Sequence, residues 1–309
     1  MEEENNSYQF GEETKVYHKP VLVQEVLEYL NPKPGGLYLD VTFGSGGHTR
    51  AILEKEPTCK VIAMDWDTIA LDTYGPPLQQ MFPERLRLIW GNFALLYKIL
   101  KKEKINKVDG ILADFGTSQV QIITRPGFSL RRDAKLDMRM SPAHQQITAE
   151  KIIKDASEEK LYQIFRQLGE ERYSKRIAYA IVQERKNKKI RTTKDLAKIV
   201  ERVVPKAKRE RIHPATRIFQ ALRIYVNKEL GNISAFLPIA LQTLKVGGRL
   251  VCISFHSLED RLVKDFFKER ADRGDIRVLT PKVIVGQEEE IRINPSARSA
   301  KLRAAECLI

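Results

Sequence analysis

The sequence predicts an α/β protein: a doubly wound parallel sheet interrupted by an inserted all-helical domain. Three observations carry this. Short apolar strands alternate with helical segments over the first third of the chain, and a glycine-rich turn follows the first of those strands. More than 130 residues then separate the fourth strand from the next core strand. With 309 residues the chain can bury one large core and a second, smaller one.

The first expected element is a helix. Pro20 suits its opening turn, and Leu22, Val23, Val26, Leu27 and Leu30 form one apolar stripe that Asn31-Pro32 stops. A strand follows over Leu37 to Val41, then the glycine-rich turn and a helix start near His48 to Leu53. The second strand is Lys60 to Asp65, with a short helical segment beyond Asp67. Arg85 to Trp90 and Val108 to Asp114 are the third and fourth strands, and Gly248 to Phe255 is the next. A parallel crossover needs only a few tens of residues, so the long stretch between is an insertion. Its pattern is helical. Leu161, Ile164, Phe165 and Leu168 fall at i, i+3, i+4, i+7 and end at Gly169. Leu196, Ile199, Val200 and Val203 repeat the spacing behind Thr193 as N-cap, and Tyr173, Ile177 and Ile181 form a stripe between them. Pro214 starts one long helix, or two, leading back to Gly247-Gly248. The expected division is a flexible acidic tail over 1–17, a sheet domain over 18–124 and 216–309, and an inserted basic domain over 125–215.

Charge follows this division. From Arg125 to Arg217 there are 25 Lys/Arg against 12 Asp/Glu, so the whole net charge of +13 sits in this central segment and the remainder is neutral. Such asymmetry points to a polyanionic partner held through phosphates, the alternative being a solvated basic surface. No stretch is long and apolar enough to span a bilayer, and the N-terminus is acidic, unlike a targeting peptide. Cys59, Cys252 and Cys307 are odd in number and far apart, and five scattered histidines show no ligand spacing; neither disulfides nor a metal is expected. A cytoplasmic protein with no membrane partner is the expectation.

Asp40-Val-Thr-Phe-Gly44-Ser-Gly46-Gly47-His48 follows a strand and opens a helix, the context in which a glycine-rich turn binds a ligand. A dinucleotide fingerprint starting at Gly44 needs a small residue where Thr49 stands, which disfavours a nicotinamide oxidoreductase. The Gly-Lys-Ser/Thr of a phosphate loop is absent. D-x-x-x-G-x-G, with Asp65 ending the next strand to accept from ribose hydroxyls, suits S-adenosylmethionine. Phe93, after the third strand, is placed to pack on adenine or in the core. Asp114, ending the fourth, completes a row of strand C-termini.

Further blocks are His18-Lys-Pro-Val-Leu, Arg125-Pro-Gly-Phe-Ser129, Leu136-Asp-Met-Arg-Met140, Gly169-Glu-Glu-Arg172 and His213-Pro-Ala-Thr-Arg-Ile-Phe-Gln-Ala-Leu-Arg223. Val226-Asn-Lys-Glu-Leu230, Phe255-His-Ser-Leu-Glu-Asp-Arg261 and Asn294-Pro-Ser-Ala-Arg-Ser-Ala-Lys-Leu-Arg303 complete the set. Together, and in order from about His18 to Glu306, they resemble the ribosomal RNA small-subunit methyltransferase H family. The resemblance implies a class I S-adenosylmethionine methyltransferase with a Rossmann-like sheet and an inserted helical domain. It implies methylation of the N4 amine of a cytosine in the decoding region of small-subunit ribosomal RNA. It places cofactor contacts on Gly46, Gly47, His48, Asp65, Phe93, Asp114 and Gln121. Two departures stand out. The family's Asp-Leu-Gly-Val-Ser-Ser block followed by Pro-Gln is here Asp114-Phe-Gly-Thr-Ser-Gln119-Val120-Gln121, and the segment from about Lys268 to Arg292 is short.

For that chemistry Asp114 is the expected catalytic acceptor, the alternative being that it only holds the cofactor. Arg125, Arg131, Arg132 and Arg139 flank Phe128, and His213, Arg217 and Arg223 lie where the insert returns. These seven are the expected RNA contacts around a base drawn out of its stack. His256, Glu259 and Asp260 read as a strand-to-helix turn with capping roles. The partner is ribosomal RNA or the assembled small subunit, and a homodimer is compatible with the sequence. A DNA amino-methyltransferase is the competing enzyme, though Asp114-Phe-Gly-Thr lacks the paired prolines of that class. An RNA-binding assembly factor without turnover is the competing non-enzyme.

Overall fold

The computed structural model describes residues 20–205 and 213–309. The tail expected over 1–17, His18 of the first motif and the basic run at 206–212 lie outside these residues.

Helix α1 spans Val23–Leu30. It starts after Pro20 rather than on it, because Leu22 is left-handed (φ 53°), fully buried, and donates its N–H to Glu290 at 2.7 Å. Strand β1 (Leu37–Asp40) leads through the glycine-rich turn into α2 (Gly47–Lys55), and β2 (Lys60–Asp65) leads into α3 (Thr68–Met81). The expected short segment beyond Asp67 is thus a 14-residue helix that runs through Pro76 and Pro77. Both prolines are exposed, and the carbonyls they leave unbonded belong to Asp72 and Thr73, which are also exposed to water. Then follow β3 (Leu86–Trp90), α4 (Leu96–Glu103), β4 (Val108–Asp114) and α5 (Gln119–Thr124).

The insert consists of α6 (Ala149–Asp155), α7 (Glu158–Leu168), α8 (Ser174–Asn187) and α9 (Thr193–Val203). The N-cap of α9 is Thr192, whose hydroxyl accepts from Asp195 N–H in a capping box; Thr193 sits inside the helix and donates instead to the Arg132 carbonyl at 2.8 Å. The return comprises two helices, α10 (Thr216–Asn227) and α11 (Glu229–Thr243), separated at Lys228 by a left-handed residue (φ 52°). Next come β5 (Leu244–Ser254), α12 (Ser257–Asp272), β6 (Ile276–Val278), β7 (Ile284–Val285), α13 (Glu288–Ile293) and β8 (Lys301–Cys307).

The sheet order is β3-β2-β1-β4-β5-β8-β6, with β7 on β8. Strands β1 to β5 are parallel, and β8 enters antiparallel. Strand β5 begins earlier than expected, and a register shift opposite Val108 and Gly110 absorbs the residues before Gly248. Alternate side chains enter opposite layers. Leu39, Ile111 and Ala113 pack with Phe236 and Leu237 of α11; Tyr38, Leu112 and Val251 pack with α1 and α2. A separate cluster joins Leu136, Leu161, Phe165, Ile177, Leu196 and Val200 of the insert. It also takes Ile218, Phe219 and Leu222 of α10, so that helix serves the insert's core.

Gly169, closing α7, lets that helix meet α10 at the backbone. A Cβ there would lie 2.6 Å from the Arg217 carbonyl oxygen and 2.8 Å from that of Phe165, neither of which can step aside. Gly169→Ala is expected to cost about 1–3 kcal/mol. A lowered urea midpoint checks this; an unchanged one would show that the two helices separate freely.

Candidate active site

Helices α2 and α3 cover one face of the sheet and α4 and α11 the other, so the winding reverses between β1 and β4. Ligands of such sheets bind beyond the strand C-termini at that reversal. A cleft of about 320 Å³ lies there, lined by residues after β1, β2 and β4 and by residues of α10, α11 and the start of α12.

Asp40 is buried and ties the end of β1 to the start of α2, accepting from Thr42 N–H at 3.1 Å and from the Thr49 hydroxyl at 2.6 Å. Thr49, which denies the chain a dinucleotide fingerprint, is therefore a structural hydrogen-bond partner. Gly44 (φ +54°) donates its N–H to Asp65 Oδ2 at 2.8 Å, and a Cβ on it would meet nothing closer than 3.9 Å. That leaves the inner face of the turn open to the cleft. Gly46 and Gly47 serve packing, since a Cβ would strike Phe43 at 2.9 Å or Pro20 at 2.8 Å. Gly47 still lines the cleft; Gly46 sits behind it.

Asp65 also accepts from Asp67 N–H at 2.9 Å. Burial pushes its carboxyl up to about 6, against the pull of the Asp67 and Gly44 N–H groups. Phe93 lines the cleft and packs edge-on against Phe236 with centroids 5.4 Å apart, so it is both wall and core. Gln121 is buried on the same wall, and its Oε1 accepts from Ser118 N–H in the capping box that starts α5. His48, in the first turn of α2, is buried with neither ring nitrogen hydrogen-bonded; its Nε2 lies 3.5 Å from Asp114 Oδ2. Asp114 donates its N–H to Thr42 Oγ1 at 2.7 Å, while its buried Oδ1 has no hydrogen-bond partner. Orphaned polar atoms facing an open turn fit a polar, positively charged ligand such as S-adenosylmethionine.

The far wall is a group that spacing did not reveal. Arg223 grips both oxygens of Glu229, through Nε and Nη2, each at 2.9 Å. Its Nη1 lies 3.4 Å from Thr117 Oγ1, a hydroxyl standing where the resemblance expects valine. Glu259 is fully buried; its Oε2 accepts from Phe255 N–H at 2.8 Å, and its Oε1 lies 3.2 Å from His256 Nε2. Burial opposes ionisation of both acids. It raises the Glu229 carboxyl despite Arg223, whereas His256 and Arg223 hold Glu259 below the usual range. His256 caps α12 and Asp260 pairs with Arg303 at 2.6 Å, the capping and helix-start roles the turn implied. No metal was expected, yet the fold brings Glu229, His256 and Glu259 within 4.8 Å of one another. Arg223 already supplies the balancing cation, and we assign no metal to the group.

Of the seven expected RNA contacts, Arg223 lines the cleft. Arg125 pairs with the fully buried Asp67 at 2.5 Å, Arg139 holds both oxygens of Asp137 at 2.6 and 2.8 Å, and His213 lies 2.8 Å from Glu201. These three have internal carboxylate partners that sequence spacing does not show. Arg131 and Arg132 are exposed on the loop before α6, and Arg217 is half-buried on α10. Among the described residues no helix is long and apolar enough to cross a membrane.

The description of the MraW methylase family matches residues 15–308. The ribosomal RNA small subunit methyltransferase H of Heliobacterium modesticaldum is 45% identical, covering 94% of this chain and 98% of that protein. Those of Neorickettsia sennetsu (44%; 96% and 98% covered) and Thermotoga neapolitana (46%; 94% and 96% covered) are similar to the same extent.

The raised Asp65 value gives a pH test. Because it lies above the ordinary 3.8, the group's contribution to stability is fully present below about pH 4 and is lost as pH rises through about 6. Ligand binding has the opposite sense, since only the ionised carboxylate offers every lone pair to a ribose. Affinity for S-adenosylmethionine is expected to fall about tenfold between about pH 7.5 and 5, and this step should vanish in Asp65→Asn. Calorimetry across that range reads it; a flat profile for the parent would remove Asp65 from the cofactor site.

Proposed function

We propose that this chain, which belongs to the MraW methylase family, methylates the N4 amine of a cytosine in the decoding region of small-subunit ribosomal RNA. Family membership makes the protein an S-adenosylmethionine-dependent ribosomal RNA methyltransferase of class I fold. The cytosine N4 amine is supported by the Asp114 carboxylate, which lines the cleft at the strand-end row.

When bound, S-adenosylmethionine supplies a methyl group made electrophilic by its sulfonium. Gly44, Gly47 and His48 form the turn that would receive it, Asp65 accepts from its ribose, and Phe93 and Gln121 wall the adenine side. An exocyclic cytosine amine is a poor nucleophile, because its lone pair is delocalised into the ring, so placement supplies much of the acceleration. The Asp114 carboxylate, which lines the cleft, orients one N4 hydrogen and takes that proton as the nitrogen becomes positively charged. His48 Nε2 lies 3.5 Å from Asp114 Oδ2, at the edge of hydrogen-bonding reach. The basic insert over 125–215 is assigned to RNA, with the exposed Arg131 and Arg132 on phosphates. The assembled small subunit is the substrate this reading favours.

Asp114→Asn keeps the shape and removes the proton acceptor. Single-turnover methylation is expected to fall about 100-fold or more, with S-adenosylmethionine affinity within about threefold of the parent. Weakened binding with an unchanged rate would reduce Asp114 to a cofactor contact. Mapping N4-methylcytosine in ribosomal RNA from cells with and without the gene tests the reaction itself, and an unchanged signal would overturn it.

A further inference from the structure

Among the described residues lining the cleft, Arg223 is the one Arg or Lys. A phosphate clamp would be expected to present an uncompensated positive charge. Arg223 does not. Glu229 holds its Nε–H and one Nη2–H, and the fully buried Glu259 lines the same wall beside His256, so the guanidinium is already compensated. A third anion, phosphate or carboxylate, would be repelled there. A neutral hydrogen-bond acceptor would not.

The guanidinium has five N–H donors in one plane. Glu229 takes Nε–H and one Nη2–H, and Nη1 lies 3.4 Å from Thr117 Oγ1, so one hydrogen remains on each of Nη1 and Nη2; with Thr117 on the Nη1 hydrogen turned away from Nη2, these two form a parallel end-on pair. Cytosine carries two neutral acceptors side by side, O2 and N3, next to its N4 amine. Uracil carries a donor at N3, which would meet an N–H head-on. Arg223, Thr117 and Asp114 line the same cleft, so a base seated on Arg223 shares that cleft with the proposed proton acceptor.

We propose that Arg223, held in plane by Glu229 and Thr117, reads O2 and N3 of the extruded cytosine and is the residue that distinguishes it from uracil. This rests on the cytosine-N4 reading above. It gives Arg223 a base-reading role in place of the expected phosphate contact, and it gives Glu229 a positioning role.

The test is a functional-group cycle on reconstituted small subunits carrying either cytidine or 3-deazacytidine at the target position, read as single-turnover methylation. The 3-deaza base replaces the N3 acceptor by C–H. The parent enzyme is expected to lose tenfold or more on it. Arg223→Ala is slower on cytidine, yet its 3-deaza penalty should shrink to within about twofold. Arg223→Lys keeps a cation beside Glu229 without the parallel donor pair, and the same loss of discrimination is expected if the alanine variant does not fold. The cycle cancels the altered electronics of the analogue, which act on parent and variant alike. Equal penalties in parent and variants would overturn the proposal. So would a tenfold loss of S-adenosylmethionine affinity with the penalty intact, which would make Arg223 a clamp for the cofactor's carboxylate. Absence of methylation by the parent on unmodified subunits would instead sink the cytosine reading on which the proposal rests.

Discussion

The cleft depends on one buried ion pair that closes across a break in the chain. Arg223 lies one turn before the end of a helix whose apolar side belongs to the core of the insert, and Glu229 begins a helix whose apolar side belongs to the sheet. Left-handed Lys228 lets the two meet. Burying such a pair gains little stability, but removing one partner leaves an uncompensated charge and costs about 3–5 kcal/mol. Its value here is geometric: it sets the angle between two cores and places one charged side chain in the cleft. Asn227, fully buried beside it, accepts from Met140 N–H and donates to the Met138 and Arg223 carbonyls. The Leu136–Met140 motif is thereby stapled to the same hinge.

At the opposite wall the governing term is the convergence of carboxylates. Parallel strands deliver Asp40, Asp65 and Asp114 to one end of the sheet, two of them buried. Burial raises the carboxyls of Asp40 and Asp65, and backbone N–H groups and the Thr49 hydroxyl recover part of that cost. A cationic, polyhydroxylated ligand complements such a row. The cleft therefore joins an acidic end at the strand termini to an end where the one guanidinium is already paired with a carboxylate. The large positive surplus lies elsewhere, on the insert, where phosphates can be met in water.

Much of this was legible from local pattern. Strand β4 has the bounds its apolar run implied and helix α7 ends where its stripe does, because a half-buried element must repeat its apolar face at its own period. Elsewhere local rules competed. Thr192 and Thr193 are chemically alike, and only the capping box with Asp195 against the Arg132 carbonyl separates them. Pro76-Pro77 reads as a stop, yet the helix continues because its unbonded carbonyls reach water. Leu22 reads as helix, yet a carboxylate 268 residues away holds its N–H. The arginines expected to contact RNA were the least legible. A guanidinium near a motif looks the same in sequence whether its partner is a phosphate or a buried aspartate such as Asp67.

By itself the amino-acid order determined the alternating strands and helices, the cofactor turn from Asp40 to His48, the acidic strand ends and the basic insert. Each follows from periodicity, backbone freedom or charge count, which act over a few residues. Only the tertiary structure decided that Gly44 opens the turn while Gly46 and Gly47 pack it. It alone set Asp114 beside His48, and it brought Arg223, Glu229, Thr117 and Glu259 to one wall. Those choices turn on contacts between segments far apart in the chain. Burial and a competing partner then decide what each polar group is still free to bind.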